Sequence, residues 1–566
     1  MRTSRSLPVS SARLTIAVLT AAFLVGAAAP AASAAVSGAV ASAAPAATEV
    51  GLEILRSGGN AADAAVATAL ALAVVHPAAG NLAGGGFAVA RIGRHVWALD
   101  FRETGPAAAT PGMYLGTDGR PVPDASLVGP LATGVPGSPT GLFELHRRLG
   151  RLPWPQVVAP GLRLARDGFV VTPRLAASVK AARKLLARFP ETAAVWLPGG
   201  KVPEAGSTVK LPRLAAALQA YAERGPAALT TGAAAVAIVA TARKHGGILS
   251  EADLAGYRPV WRDPVVFSAF GWEVASMPLP SAGGIILAES FGILERLGWT
   301  KLPRGSVERV HLLAESWRCA YADRFLLGDP ATTQAGPAQL LAAVWLDLRV
   351  SQIDRTRATP SVLVKPWSPA AGRESSETTH LSVVDGDGNA VSLTTTLNDS
   401  FGCGLLVPEL EILLNDEMDD FAVAPGRPNL YGLVQGEANA VGPGKRMLSS
   451  MSPTVAWRGS EVLALGSPGG SRIPTATSQV LLAVLVDHDT LQVAVDRPRV
   501  HHQWLPDELV FEDTALSEDA RAELVRRGHT LRRIDHLGEV HAVRRRAGGF
   551  EAAADARGPG AAGTVR

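Results

Sequence analysis

The chemistry in this chain starts at Glu377-Thr378-Thr379-His380-Leu381-Ser382 and runs to Leu393-Thr394-Thr395-Thr396-Leu397-Asn398. Two runs rich in Val, Leu, Ser and Thr flank a turn of Asp, Gly and Asn. Those turn residues tolerate φ > 0, so the spacing predicts a β-hairpin. With the turn centred on Asp387, Thr396 faces Thr378 across the ladder. Cross-strand Cβ atoms lie about 4.5–5.5 Å apart, within reach of a hydroxyl-to-hydroxyl hydrogen bond. A one-residue slip in register would separate them. The preceding segment, Pro369 to Glu377, is polar and by composition easy to cut. A Thr that opens a strand directly after such a loop is placed as an N-terminal nucleophile freed by cleavage at Glu377–Thr378. The plainer reading is a surface hairpin that uses Thr for its β-propensity.

Three later segments carry further candidate groups. Asn415-Asp416-Glu417-Met418-Asp419-Asp420-Phe421 crowds four acids, which suits a cation, an ammonium group or simply a solvated loop. Leu448-Ser449-Ser450-Met451-Ser452-Pro453 presents two adjacent hydroxyls before a Pro. Gly466-Ser467-Pro468-Gly469-Gly470-Ser471-Arg472 joins a strand to a helix. Its two glycines can aim backbone N–H groups at an oxyanion, or can serve only as a tight turn. Asp385-x-Asp387-x-Asn389 opens like a calcium loop, but Ala390 and Thr396 stand where Gly and Glu are required. Asn398-Asp399-Ser400 is a glycosylation sequon too close to the hairpin to be read as one.

The elements that must position these groups are mixed. Helices are predicted at Pro45–Arg56 and from the Asn60 cap through Val75, the second one apolar nearly all round and therefore buried. Gly84-Gly85-Gly86 precedes a strand, Phe87–Ile92, and reads as close backbone packing, not a dinucleotide fingerprint, which must follow a strand. A second strand runs His95–Arg102. Helical patterns dominate Gly137–Val350, among them Thr140–Gly150, Pro173–Lys184, Leu211–Arg224 and Val307–Leu326, with strand-like runs near Val265–Met277. Pro360–Glu377 is a linker-like break. Strands then follow at Ile412–Leu414, Thr454–Trp457, Val462–Leu465 and Glu508–Phe511, with helices at Thr475–Asp487 and Glu518–Arg527. The residues after about Ala547 are expected to fray. This order predicts an α+β layered sandwich.

Of the 566 residues, 47% are hydrophobic and 19% charged, a globular composition with enough apolar side chains for a large core. The formal net charge of +3 gives no support to nucleic-acid binding. The two cysteines, Cys319 and Cys403, have no metal-ligand spacing. Residues 1–34 read as a signal peptide. Arg2, Arg5 and Arg13 form its positive region, Leu14–Gly26 its apolar region, and Ala32-Ser33-Ala34 its cleavage site. That apolar run is short for a transmembrane helix, so no stable membrane anchor is expected, and the location is periplasmic or secreted.

Several blocks, in order, resemble the gamma-glutamyltranspeptidase family over roughly Ala46 to Ile534. They are Glu49–Leu55 with Gly58-Gly59-Asn60-Ala61, Leu99-Asp100-Phe101-Arg102-Glu103-Thr104, Thr378–Asp385, Pro428-Asn429-Leu430-Tyr431-Gly432-Leu433, Leu448–Thr454 and Gly466–Arg472. The resemblance implies an N-terminal-nucleophile hydrolase, a four-layer αββα sandwich. It implies a precursor that cuts itself into a large subunit (35–377) and a small one (378–566). Thr378 resembles the family's nucleophile, Thr396 its hydroxyl partner, and Gly469 and Gly470 its oxyanion hole. Arg102, Ser449 and Ser450 resemble its binders of a glutamyl α-carboxylate, and Asn398, Glu417 and Asp420 its binders of the α-amino group. Tyr431 lies in what resembles its lid loop. Two departures are Asn81-Leu82-Ala83 before the glycine run and Cys403 where a small or hydroxyl residue is common.

The implied activity is transfer of a gamma-glutamyl group from glutathione or another gamma-glutamyl amide to water, an amino acid or a peptide. It would pass through a threonyl acyl-enzyme with no metal and no organic cofactor. Two rivals remain at this level. One is a cephalosporin or glutaryl acylase of the same fold, which would not need the α-amino binders. The other is an exported binding protein that is never cut.

Overall fold

The computed structural model describes residues 37–366, 378–423 and 436–565. The predicted signal peptide, Glu377 and Tyr431 lie outside the described residues. The predicted hairpin forms from strands Thr379–Asp385 and Ala390–Thr396. Thr379 pairs with Thr395, so the next step of the register sets Thr378 opposite Thr396, as the residue count predicts. Asp385 fixes this register. Its carboxylate accepts the backbone N–H groups of Asp387 and Asn389, each at 3.0 Å, and the Asn389 amide at 2.9 Å. The same carboxylate accepts the N–H of Ala61 at the start of helix Ala61–Val75. The calcium-like spacing is therefore turn chemistry of the Asx type.

Every residue of the two hairpin strands is buried, and side-chain parity divides them. Leu381, Val383, Val391 and Leu393 pack with the helices on one face. Val384 and Ala390 join the apolar layer on the other face, together with Val455, Val462 and Ala464 of a second sheet. Ser382 and Ser392 donate to the carbonyls of His541 and Leu465 on that second sheet. Alternation along a strand thus turns Thr378 and Thr396 toward the inter-sheet side.

The first sheet has seven antiparallel strands in the order Ala561–Val565, Gly38–Ser42, Thr379–Asp385, Ala390–Thr396, Gly85–Ile92, His95–Asp100, Val260–Arg262. The second has six, in the order Gly549–Ala554, His541–Arg546, Glu461–Gly466, Thr454–Arg458, Trp272–Ser276, Val265–Ala269. Helices Pro45–Arg56, Ala61–Val75 and Trp154–Asp167 cover the outer face of the first sheet. Helices Gly283–Arg296, Val307–Asp323 and Ile473–Leu485 cover that of the second. The result is the αββα sandwich, with an apolar layer between the sheets and one on each outer face. Among the described residues no helix is long and apolar enough to cross a membrane.

Local signals explain most of these elements. Asn60 caps Ala61–Val75 by accepting from Ala62 and Asp63, and Asp63 returns a bond to the Asn60 N–H. The glycine run is close packing. A Cβ at Gly84 would lie 2.1 Å from the Thr396 carbonyl oxygen, and one at Gly86 would lie 2.3 Å from that of Thr394. Two expectations need correction. The residues after Ala547 do not fray but form strands Gly549–Ala554 and Ala561–Val565, the latter covering the otherwise open edge of Gly38–Ser42. Pro173–Lys184 divides into helices Pro173–Ala181 and Arg183–Leu186. The strand-like runs near Val265–Met277 form a hairpin, turned by Phe270 and Gly271 at φ of 52° and 78°. Cys319 and Cys403 are both free and buried.

Candidate active site

Arg102, Thr378, Thr396, Asn398, Glu417, Asp420, Ser449, Ser450 and Gly470 line one cavity, together with Met451 and Ile473. Nine of the predicted site residues thus converge from separate segments. Gly469 stands beside Gly470 without lining the cavity, and Tyr431 and Glu377 fall outside the described residues. The free space is about 20 Å³, room for about one water.

At the hydroxyl end, Thr378 is 7% and Thr396 2% exposed. Thr396 Oγ1 accepts the backbone N–H of Asn398 at 2.8 Å. That contact requires Asn398 to turn back at φ 80°, a left-handed conformation that Asn tolerates better than most residues. The Asn398 amide donates to the Asp416 carbonyl at 3.0 Å and is buried, so the sequon is not presented to solvent. Asn81, which departs from the expected pattern, supports this strand end. Its amide donates to the Thr396 carbonyl at 2.8 Å and to Thr395 Oγ1 at 3.0 Å. Two residues along from Thr378, His380 bridges Thr394 and Ser382, and burial holds it well below the usual histidine range, as a neutral ring.

At the charged end Arg102, the expected carboxylate binder, sits against the acids expected to hold the ammonium group. Its guanidinium pairs with both Glu417 and Asp420. These groups are almost wholly desolvated, and opposite charges in such a site neutralise one another. Arg102 is aimed from the end of strand His95–Asp100. Its N–H donates to Asp100 at 3.0 Å, Tyr257 donates to its carbonyl at 2.6 Å, and Asp100 is held in turn by Arg262 and Arg446. The acid-rich segment is no solvated loop. Asp416, Glu417, Asp419 and Asp420 are all buried, and Asn415 ties the segment to Ala83 and Gly134. Burial raises the Asp416 and Glu417 carboxyls well above the usual range, and Asp419 to about 7.

The glycine turn joins strand Glu461–Gly466 to helix Ile473–Leu485. Gly469 and Gly470 take φ of 126° and 55°, in the region that side chains disfavour, so the turn requires glycine there. Tyr321, on helix Val307–Asp323, donates to the Ser471 carbonyl and braces the turn from a neighbouring helix of the same layer. Nothing local in the sequence marks Tyr321. Among the described residues one group combines metal-ligating types, His311, Glu315 and His529. It does not line the cavity. His311 and His529 bond each other at 2.8 Å, and Glu315 accepts from Arg318.

Glu103 is the second residue without a sequence-level role. It is fully buried, 3.8 Å from the Arg102 guanidinium. Burial pushes its carboxyl up to about 8 against the opposing pull of Arg102. Between the reference value of 4.5 and about 8, the folded chain holds a proton that the unfolded chain has lost. Stability should therefore fall as pH rises through that window. Glu103→Gln, the neutral isostere, is expected to flatten this slope in a melting-temperature profile from pH 5 to 9. An identical slope in the variant would assign the dependence to other groups.

The gamma-glutamyltranspeptidase family model matches residues 47–565. The glutathione hydrolase proenzyme of Escherichia coli (strain K12) is 42% identical over 501 residues, covering 88% of this chain and 86% of that protein. The acylase ACY 1 proenzyme of Pseudomonas sp. (strain SE83) is 36% identical, covering 88% of each. The crystal structure of cephalosporin acylase from Bacillus halodurans superposes with a TM-score of 0.83 at 27% identity, covering 94% of this chain and 96% of that one.

Proposed function

The chain belongs to the gamma-glutamyltranspeptidase family, a family of hydrolases and transferases, and we propose that it is an exported, self-cleaving gamma-glutamyltransferase and glutathione hydrolase. The observation that carries this reading is the meeting of Thr378 and Thr396 with Arg102, Glu417 and Asp420 around one cavity. A gamma-glutamyl group carries an α-carboxylate and an α-ammonium beside its amide. On entry it can exchange the internal ion pairs for contacts of the same signs, its carboxylate going to Arg102 with Ser449 and Ser450. Its ammonium goes to Glu417, Asp420 and Asn398.

Maturation begins when Thr378 Oγ attacks the Glu377 carbonyl. The peptide nitrogen leaves as the new α-amine of Thr378, and water then hydrolyses the ester, giving subunits 35–377 and 378–566. In turnover that amine takes the Thr378 hydroxyl proton, and Thr396 orients the hydroxyl. Oγ attacks the γ-amide carbonyl, and the Gly469 and Gly470 N–H groups receive the oxyanion. One such donor is typically worth about 10²–10³ in rate. The amine proton passes to the leaving nitrogen, and water or an acceptor amine takes the acyl group from Oγ. Residues 1–34 direct the chain to the periplasm or the exterior before they are removed.

The likeness to acylases favours a second reading, a cephalosporin or glutaryl acylase. Such an enzyme would not need Glu417 and Asp420 to hold an α-amino group. Incubation with glutathione, with and without a dipeptide acceptor, separates the readings. Released glutamate and a gamma-glutamyl dipeptide are expected, and their absence alongside glutaryl amide cleavage would favour the acylase. A free α-amine has an unperturbed pKa of about 7.7–8.0, and only its neutral form is a base. The acylation rate is therefore expected to rise with pH through one apparent pKa. Chemical blocking of the mature Thr378 amine should abolish turnover, and full activity with a verified block would remove it as the base.

A further inference from the structure

Asn439 is fully buried and does not line the active-site cavity. Its side chain joins the two segments that supply the charged end of that cavity. The amide nitrogen donates to the Asp420 carbonyl at 2.7 Å. The amide oxygen accepts the N–H of Leu448, the residue before Ser449 and Ser450, at 2.8 Å. Its backbone carbonyl accepts the N–H of Ala422 at 2.9 Å. One planar amide, using a donor and an acceptor, thus ties the acid segment to the serine segment.

Each segment also has an anchor of its own. Asn415 holds the start of the acid segment, donating to Ala83 and Gly134 and accepting the Glu417 N–H at 3.0 Å. Asp420 lies at the other end of the short helical turn Glu417–Asp420, where Asn439 bonds. On the serine side, the Ser449 N–H donates to Pro280 and its carbonyl accepts from Ala282, each at 2.8 Å. Arg102 makes a second bridge between the segments. It pairs with Glu417 and Asp420 and donates through Nε to the Met447 carbonyl at 3.3 Å. That bridge is the one a substrate opens, because a carboxylate arriving at Arg102 exchanges with its ion pairs. The Asn439 amide carries no charge and takes no part in the exchange.

We propose that Asn439 is a positioning residue that sets the spacing between the ammonium-binding acids and the carboxylate-binding serines, an inference that rests on the gamma-glutamyl reading of this cavity. The α-carboxylate and α-ammonium of a gamma-glutamyl group share one carbon, so covalent geometry fixes their separation. A two-point grip requires its subsites at that separation before binding, because ordering them afterwards is deducted from affinity. A glutaryl group keeps the carboxylate, lacks the ammonium, and is indifferent to the spacing.

The test compares mature wild type with Asn439→Ala on a gamma-glutamyl anilide and a glutaryl anilide. The variant loses both side-chain bonds but keeps the backbone bond to Ala422, so it should still fold and be cut at Glu377–Thr378. Its KM for the gamma-glutamyl compound is expected to rise about tenfold or more, the effect of a buried hydrogen-bonding group left unmade. Its kcat should change less, and the glutaryl rate should change little. An equal loss on both compounds would reduce Asn439 to a general support of the fold and overturn the proposal, as would an unchanged KM. In an Asp420→Ala background, Asn439→Ala should cost less than it does in wild type, because the carboxylate it places is gone. A fully additive loss there would also overturn the proposal. A wild type without preference for the gamma-glutamyl compound would instead overturn the functional reading, and the spacing role with it. Should Asn439→Ala not fold, Asn439→Asp decides by the same comparison, since it keeps the shape and the acceptor for Leu448 but loses the amide donor to Asp420.

Discussion

Thr378→Ala is expected to leave the chain uncut and without turnover, the largest single effect predicted for this protein. A denaturing gel of the wild type should show two bands, and intact-mass analysis a small chain that begins at Thr378. The alanine variant should give one band. Its hairpin should persist, because the register is held elsewhere, by the Asp385 carboxylate and by the pairing from Thr379–Thr395 to Val384–Ala390. Loss of folding is therefore not the expected cause. Removing the nucleophile of a comparable acyl-transfer enzyme costs about 10⁶ in kcat, so the residual rate should lie at or below detection. Cleavage of the alanine variant at the same bond would exclude self-cleavage by Thr378. A processed wild type with no activity toward any amide would separate maturation from catalysis.

The hairpin was legible in the sequence because its determinants are local. Turn residues, strand residues and a count from Asp387 are enough to set Thr378 opposite Thr396. The same holds for helix Ala61–Val75, whose cap and end signals lie within a few residues of its ends. What could not be read locally depends on distant partners. Strand Gly38–Ser42 and strand Ala561–Val565 are defined by each other across almost the whole chain, and neither has strong alternation of its own. Tyr321 acts on the glycine turn only because two helices meet. The signs of Arg102, Glu417 and Asp420 could be taken from the family blocks, but their direct pairing could not. Pairing follows from desolvation, and burial is a property of the assembled sandwich. Glu103 stood in plain view beside Arg102, yet its raised carboxyl is likewise a consequence of burial.

Asp420→Ala is expected to erase the preference for a free α-amino group while sparing maturation. Arg102 now holds Asp420 and Glu417 together, so the variant leaves Arg102 one carboxylate partner and keeps the cavity's cation in place. The bound α-ammonium loses more, because Asp420 is one of only two predicted carboxylates for it in a desolvated site. Truncating one partner of a buried charged contact costs about 2–5 kcal/mol, which is about 30-fold or more in kcat/KM. Arg102→Lys should act on the other end and raise KM strongly, since lysine cannot reproduce a two-bond grip on a carboxylate. Cleavage at Glu377–Thr378 should survive both changes, because that bond presents neither a free α-carboxylate nor a free α-ammonium. The decisive comparison is a gamma-glutamyl anilide against a glutaryl anilide, which differs only by lacking the amino group. Wild type should prefer the gamma-glutamyl compound, and mature Asp420→Ala should lose most of that preference through the gamma-glutamyl rate, with the glutaryl rate little changed. No preference in the wild type, or an undiminished one in the variant, would mean that Asp420 does not read the amino group. Absence in the wild type would also make the acylase reading the better account of this cavity.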